Sequence, residues 1–182
     1  AQHWSITTSG HNGTIVCDTW SVRGRSDGTS MVPPFMEVTT DGQRTPLADM
    51  QIRHRPVTGL PQGQYRLTMR VRCYDQSAQR LPSGAYVYAN GVTENACEDA
   101  QTGIYNGQQY TYKVVALTFN VGADGQLDLG INIESANFDW VAWKDVTLTR
   151  TDGPLVSGDY VIRHRQTGIY FDSGAMWGTQ LV

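Results

Sequence analysis

The stretch GQYRLTMRVRCYD, residues 63–75, constrains the fold of this chain more than any other. Tyr65, Leu67, Met69, Val71 and Cys73 alternate without a break against Arg66, Thr68, Arg70, Arg72 and Tyr74. An apolar period of two belongs to a strand with one face on a core and the other toward water. GQLDLGINIE repeats the pattern, with Leu127, Leu129, Ile131 and Ile133 set against Asp128, Gly130, Asn132 and Glu134. TIVCDTWSV, PFMEVTT, MQIRHRPVT, GAYVYANG, YTYKVVALTFNV and NFDWVAWKDVTLTR read as further strands, rich in the β-branched and aromatic residues that suit a pleated surface. The opening residues supply one more.

Turn chemistry separates these runs: HNG at 11–13, SDG at 26–28, TDG at 40–42, LPQG at 60–63, LPSG at 81–84 and ADG at 123–125. No segment keeps a 3.6-residue apolar period over three turns, and TENACEDAQ at 93–101 is the one candidate for a short connecting helix. About eight or nine half-buried strands at such spacing predict an all-β fold, an antiparallel β-sandwich of the jelly-roll kind. It occupies residues 1–150. A cluster of turn residues near TRTDGPLVSG marks a boundary, and residues 151–182 read as a linker and a β-hairpin fragment, DYVIRHR and IYFDSG around QTG, that opens a second β module.

Charge and cysteines narrow the function classes. Seventeen acidic against 14 basic residues give a net charge of −3, which provides no general attraction to phosphate backbones and argues against a nucleic-acid partner. No apolar run reaches the roughly 20 residues needed to span a bilayer. Cys17, Cys73 and Cys97 lack metal-type spacing. Cys73 and Cys97 could bridge in an oxidising compartment, but Cys73 is in phase with the apolar face of its strand and reads more simply as a buried thiol; Cys17, inside an apolar strand, reads as packing.

Little in the chain has the pattern of catalysis. Glu37, Glu94, Glu98 and Glu134, with aspartates mostly in turns, show no spacing that pairs two carboxylates for glycoside hydrolysis. His3, His11, His54 and His164 form no metal motif, and no G-x-S-x-G elbow occurs. The chain is therefore read as non-enzymatic. Glu37 and Asp145, on strands that jelly rolls often bring together, are candidate ligands of a structural calcium ion. The aromatic and polar residues outside the core phase are Arg72 and Tyr74 on one strand, and Tyr86 and Tyr88 with Asn90 on another. An aromatic plane beside planar donors is what a sugar site requires, although the same residues also serve as cross-strand pairs.

TWSVRGRSDGTSMVPPFMEV, LADMQIRHRPVTGLPQGQYRLTMRVRCYDQS and DGQLDLGINIESANFDWVAWKDVTL resemble, in this order, segments of galactose-binding-like jelly-roll domains, carbohydrate-binding-module-like units of secreted or surface proteins by which gut commensal bacteria handle glycans. GDYVIRHRQTGIYFDSGAMWGTQ is similar to the first repeat of a ricin-like β-trefoil module. The resemblance implies a non-catalytic accessory domain that binds a glycan or polysaccharide, located outside the cell or on its envelope. The alternative is a structural or protein-interaction module that spaces or docks a neighbouring domain. Strict alternation puts Trp140 and Trp143 on opposite faces of the closing strand; a β-bulge near 143–144 would return Trp143 to the core. Both tryptophans are then mainly structural, and Trp140 keeps the better claim to a ligand.

Overall fold

A computed structural model describes residues 3–18, 35–40, 45–75, 81–97, 113–153, 162–163 and 170–171. The chain divides into two compact units, Ala1–Asp152 and Gly153–Val182. The described residues of the first form ten strands: β1 (Trp4–Ile6), β2 (Thr14–Asp18), β3 (Phe35–Thr39), β4 (Met50–His54), β5 (Gly63–Tyr74), β6 (Ala85–Ala89), β7 (Val92–Asn95), β8 (Lys113–Val121), β9 (Leu129–Ile133) and β10 (Trp140–Arg150). They form two five-stranded sheets, β1-β4-β9-β6-β7 (sheet A) and β2-β3-β10-β5-β8 (sheet B). All pairings within them are antiparallel, and the described residues contain no helix. The unit is an all-β sandwich of the jelly-roll kind. In the second unit β11 (Ile162–Arg163) pairs antiparallel with β12 (Tyr170–Phe171). The QTG turn between them and the W-G-T ending lie outside the described residues.

The core follows from alternation. Tyr65, Leu67, Met69, Val71 and Cys73 of β5, with Val115, Leu117, Phe119 and Val121 of β8, are buried in one cluster with Ile52, Val87, Ile131 and Ile133 of sheet A. Period-two burial on both sheets is what encloses an apolar layer between them.

Two local features depart from simple reading. The first is the hairpin of β6 and β7. Ala89 pairs with Val92 across a two-residue turn, Asn90-Gly91, whose φ values of 44° and 81° are both positive. That is the geometry an Asn-Gly hairpin adopts, because its twist matches the flanking strands. The residues Thr93–Asn95 of the expected helix are therefore strand; residues 98–101 of that segment lie outside the description.

The second is a bulge in β10. Its register with β5 shifts between Lys144 and Thr147, and Asp145 takes a left-handed φ of 53°. Before the bulge Val141 and Trp143 point inward; after it Leu148 does, opposite Leu67. The extra residue thus exchanges the faces and lets both halves of the strand serve the same core. Trp143 is 1% exposed and meets Trp4 edge-on at 5.1 Å. Cys17 is the exception among the cysteines: it shares a cross-strand row with Met36 and Trp143, yet at the end of its sheet it is exposed rather than packed.

Candidate functional site

Residue pairing places the candidate ligand residues on opposite sides of the sandwich. Arg72, Tyr74 and Trp140 lie on the outer side of sheet B. Tyr86 and Tyr88 lie on the outer side of sheet A, and Asn90 is in the β6–β7 turn. One site cannot contain both groups.

On sheet B, Trp140 pairs with both Thr39 and Tyr74, and Ala142 pairs with both Glu37 and Arg72. These positions have the outward phase, but Arg72 is only 2% exposed and Trp140 8%. The expectation that this face of β5 meets water fails at Arg72. Its guanidinium carbon sits 5.8 Å from the Tyr74 ring and 5.7 Å from the Trp140 ring, within the range of cation–π attraction. Trp140 meets Phe35 and Tyr74 edge-on and donates its indole N–H to Glu37 Oε2 at 2.5 Å. Phe35, Trp140 and Ala142 form a second, smaller apolar cluster, with Tyr74 packed against it. This is an internal arrangement in which a buried cation lies beside two adjoining rings.

Glu37 and Asp145 are not brought together. Glu37 pairs with Ala142, three residues before Asp145 along β10 or roughly 10 Å at the usual rise per residue. Its carboxylate receives the Trp140 N–H, whereas Asp145, in the bulge, faces Arg70 at 3.6 Å. Among the described residues no group of three or more His, Cys, Asp or Glu side chains is arranged to hold a metal ion.

The outer side of sheet A is different. Gln51, Asn132, Tyr86 and Asn95 pair in succession across β4, β9, β6 and β7, forming one straight row. At about 4.8 Å between strands the row is ~14 Å long. Tyr86 is 37% exposed, Asn95 is exposed, and Gln51 donates to the Asn132 side-chain oxygen at 3.3 Å. The next row holds Ser5, Arg53, Gly130, Tyr88 and Thr93.

Gly130 explains how Tyr88 lies there. A Cβ at this position would come within 2.7 Å of the Tyr88 ring and hydroxyl and 2.2 Å of the Ile52 carbonyl, so only glycine lets the ring settle over the sheet. The Tyr88 hydroxyl is buried without a hydrogen-bond partner. Burial, reinforced by the negative charge of Asp128, pushes its pKa up to about 12. Arg53 donates to Asp128 at 2.8 Å beside it. Asn90 is committed to the fold: its amide nitrogen donates to the carbonyls of Asn120 and Gln126, and its oxygen accepts from the Asp128 N–H. A cleft of about 410 Å³ lined by Arg53, Asn90, Asp124 and Asp128 opens at this end of the sheet.

Of the residues singled out in the sequence, Tyr86 and Tyr88 are the pair placed on this side; Gln51, Asn132 and Asn95, which were not singled out, are the row neighbours of Tyr86. Outward phase was visible for each; the register that aligns them across strands was not.

No family model matches the chain, and no curated protein does. Solved structures do. The enzymatically active domain of tailspike protein 4 from bacteriophage CBA120 is similar with a TM-score of 0.51 at 11% identity, over 82% of this chain and 20% of that one. The module TmCBM61 in complex with β-1,4-galactotriose gives 0.48 at 11% identity, over 81% and 88% of the two chains. A carbohydrate-binding module of Cellvibrio mixtus lichenase 5A in complex with cellotriose gives 0.43 at 18% identity, over 82% and 92%. At these identities the likeness is one of fold.

Proposed function

We propose that Ala1–Asp152 is a non-catalytic carbohydrate-binding unit and that the outer side of sheet A receives the glycan. The observation that carries this reading is the row Gln51–Asn132–Tyr86–Asn95, in which an exposed ring stands between planar amides on adjacent strands. A sugar ring offers an apolar face that gains by leaving water against an aromatic plane, and hydroxyls that side-chain amides can both donate to and accept from. Tyr88, in the next row over Gly130, is only 6% exposed, so Tyr86 is the ring that this row offers. Neither row itself contributes a carboxylate. In a glycan-handling protein working outside the cell, such a unit would hold the polymer for a neighbouring module.

The test is affinity electrophoresis through gels containing galactan, xylan, glucomannan or mixed-linkage β-glucan. Retardation is expected on at least one polymer, with Tyr86→Ala and Asn132→Ala each weakening it about tenfold while circular dichroism stays unchanged. No retardation on any of the four, or retardation indifferent to both substitutions, sinks the proposal.

A further inference from the structure

Cys73 and Cys97 stand in an arrangement that carbohydrate binding does not use. Both are buried in the main core, Cys73 at 6% exposure and Cys97 at 2%, and their sulfurs are 3.6 Å apart. Cys73 is next to last in β5, in sheet B; Cys97 lies two residues beyond β7, in sheet A. The two sulfurs therefore face one another between the sheets.

The position of Cys97 is set by its backbone rather than by chance packing. Its N–H is received by the Asn95 side-chain oxygen at 2.9 Å, its carbonyl accepts from Lys113 Nζ at 3.3 Å, and the preceding Ala96 N–H bonds the Ala85 carbonyl at 2.8 Å. Cys73 is fixed by the β5–β10 ladder, where it pairs with Val141. A disulfide needs sulfurs about 2.05 Å apart, so closing the present gap takes a displacement of roughly 1.5 Å, within what side-chain torsions supply.

We propose that Cys73 and Cys97 form a disulfide that staples the two sheets when the chain folds in the presence of a disulfide oxidant, small-molecule or protein, and that Cys17 stays a free thiol. The chemistry is thiol–disulfide exchange. One cysteine thiolate attacks the oxidant's S–S bond, forming a mixed disulfide and releasing one oxidant thiol. The other cysteine then attacks the mixed disulfide, the Cys73–Cys97 bond forms, and the second oxidant thiol leaves. The pair loses two electrons and two protons, and the oxidant gains both. Cys17 lies apart from that buried pair in its setting, exposed on β2 at the edge of sheet B.

The test refolds the full chain, and a Cys17→Ala variant, in glutathione disulfide or in dithiothreitol. Each sample is denatured without reduction, alkylated with iodoacetamide and weighed by mass spectrometry. The oxidised wild type is expected to take up one label and the reduced form three; in Cys17→Ala the counts become none and two. Peptide mapping should find Cys73 joined to Cys97. Closing a loop of 24 residues constrains the unfolded chain, so the oxidised form should melt about 5–10 °C higher. Three labels after oxidative refolding, a linkage that includes Cys17, or equal melting temperatures would overturn the proposal.

Discussion

The two outer faces of the sandwich begin from the same strand alternation and end in opposite states. On sheet B the outward residues Arg72 and Trp140 are buried, and each of them is engaged: the cation lies beside the Tyr74 and Trp140 rings, and Glu37 receives the indole N–H. On sheet A the outward row of Gln51, Asn132, Tyr86 and Asn95 stays at least partly open. Aromatic content does not separate the two faces, because both carry aromatic rings. The separation is in burial and commitment: an aromatic ring already enclosed by its own chain contributes to stability, and one left exposed among amides has its surface available to something else. The faces should therefore respond in opposite ways to substitution, one in stability and the other in binding.

The largest effect is expected on sheet B. Trp140→Ala removes a buried ring from contact with Phe35, Tyr74 and Arg72 and should cost about 3–5 kcal/mol in urea unfolding. Trp140→Phe keeps most of the ring area but leaves Glu37 without the indole donor, and should cost about 1–3 kcal/mol. Should Trp140→Ala instead leave stability intact and remove polysaccharide retention, the roles assigned to the two faces would be reversed.

How much of this was legible in the sequence differs between the faces for a physical reason. Alternation in β5 and β9 identified the core side of each strand, since the pleat leaves no other place for Leu67 or Ile131. A bulge near 143–144 was expected to return Trp143 to the core; instead Val141 and Trp143 reach it in regular register with Cys73 and Val71, and the shift between Lys144 and Thr147 serves Leu148. Alternation is silent on whether an outward side will later be covered, because that depends on chain segments distant in sequence. Arg72 therefore looked solvated and is buried. Phase also cannot reveal register. Gln51 and Asn132 are 81 residues apart, and only the pairing of β4 with β9 makes them neighbours. The β7 strand, with the polar sequence VTEN, has no apolar period, and its one sequence signal is the Asn90-Gly91 pair before it, which suits a two-residue hairpin.

On sheet A the expected effects are smaller in stability and larger in binding. Tyr86→Ala should change the unfolding free energy by no more than about 0.5 kcal/mol, since the ring is exposed, while weakening polysaccharide retention about tenfold. A stability loss of several kcal/mol would mean that Tyr86 is structural and would remove the contrast between the faces. Gly130→Ala has the opposite signature on the same face: a Cβ directed at Tyr88 and the Ile52 carbonyl should destabilise the fold by about 1–3 kcal/mol and also displace the Tyr88 ring.

Tyr88 offers the most selective probe of how closed this part of sheet A is. Its hydroxyl is held above the ordinary tyrosine range, at about 12, chiefly by burial and secondarily by Asp128, with Arg53 acting weakly in the other direction. The folded chain keeps this proton at pH values where the unfolded chain, near 10, has released it. The native state then binds more protons than the unfolded one, so the contribution to stability is complete below pH 10 and declines as pH rises toward 12. In a spectroscopic titration at 295 nm, Tyr88→Phe should remove an increment of absorbance that the wild type acquires only near pH 12, and the loss of stability between pH 10 and 12 should become shallower. Asp128→Asn should lower that late transition only slightly, because burial outweighs the charge. If the variant instead removes absorbance that appears near pH 10, water reaches the Tyr88 hydroxyl freely. The ring would then not be seated over Gly130, and Tyr88 would stand open beside Tyr86 rather than closed against the sheet.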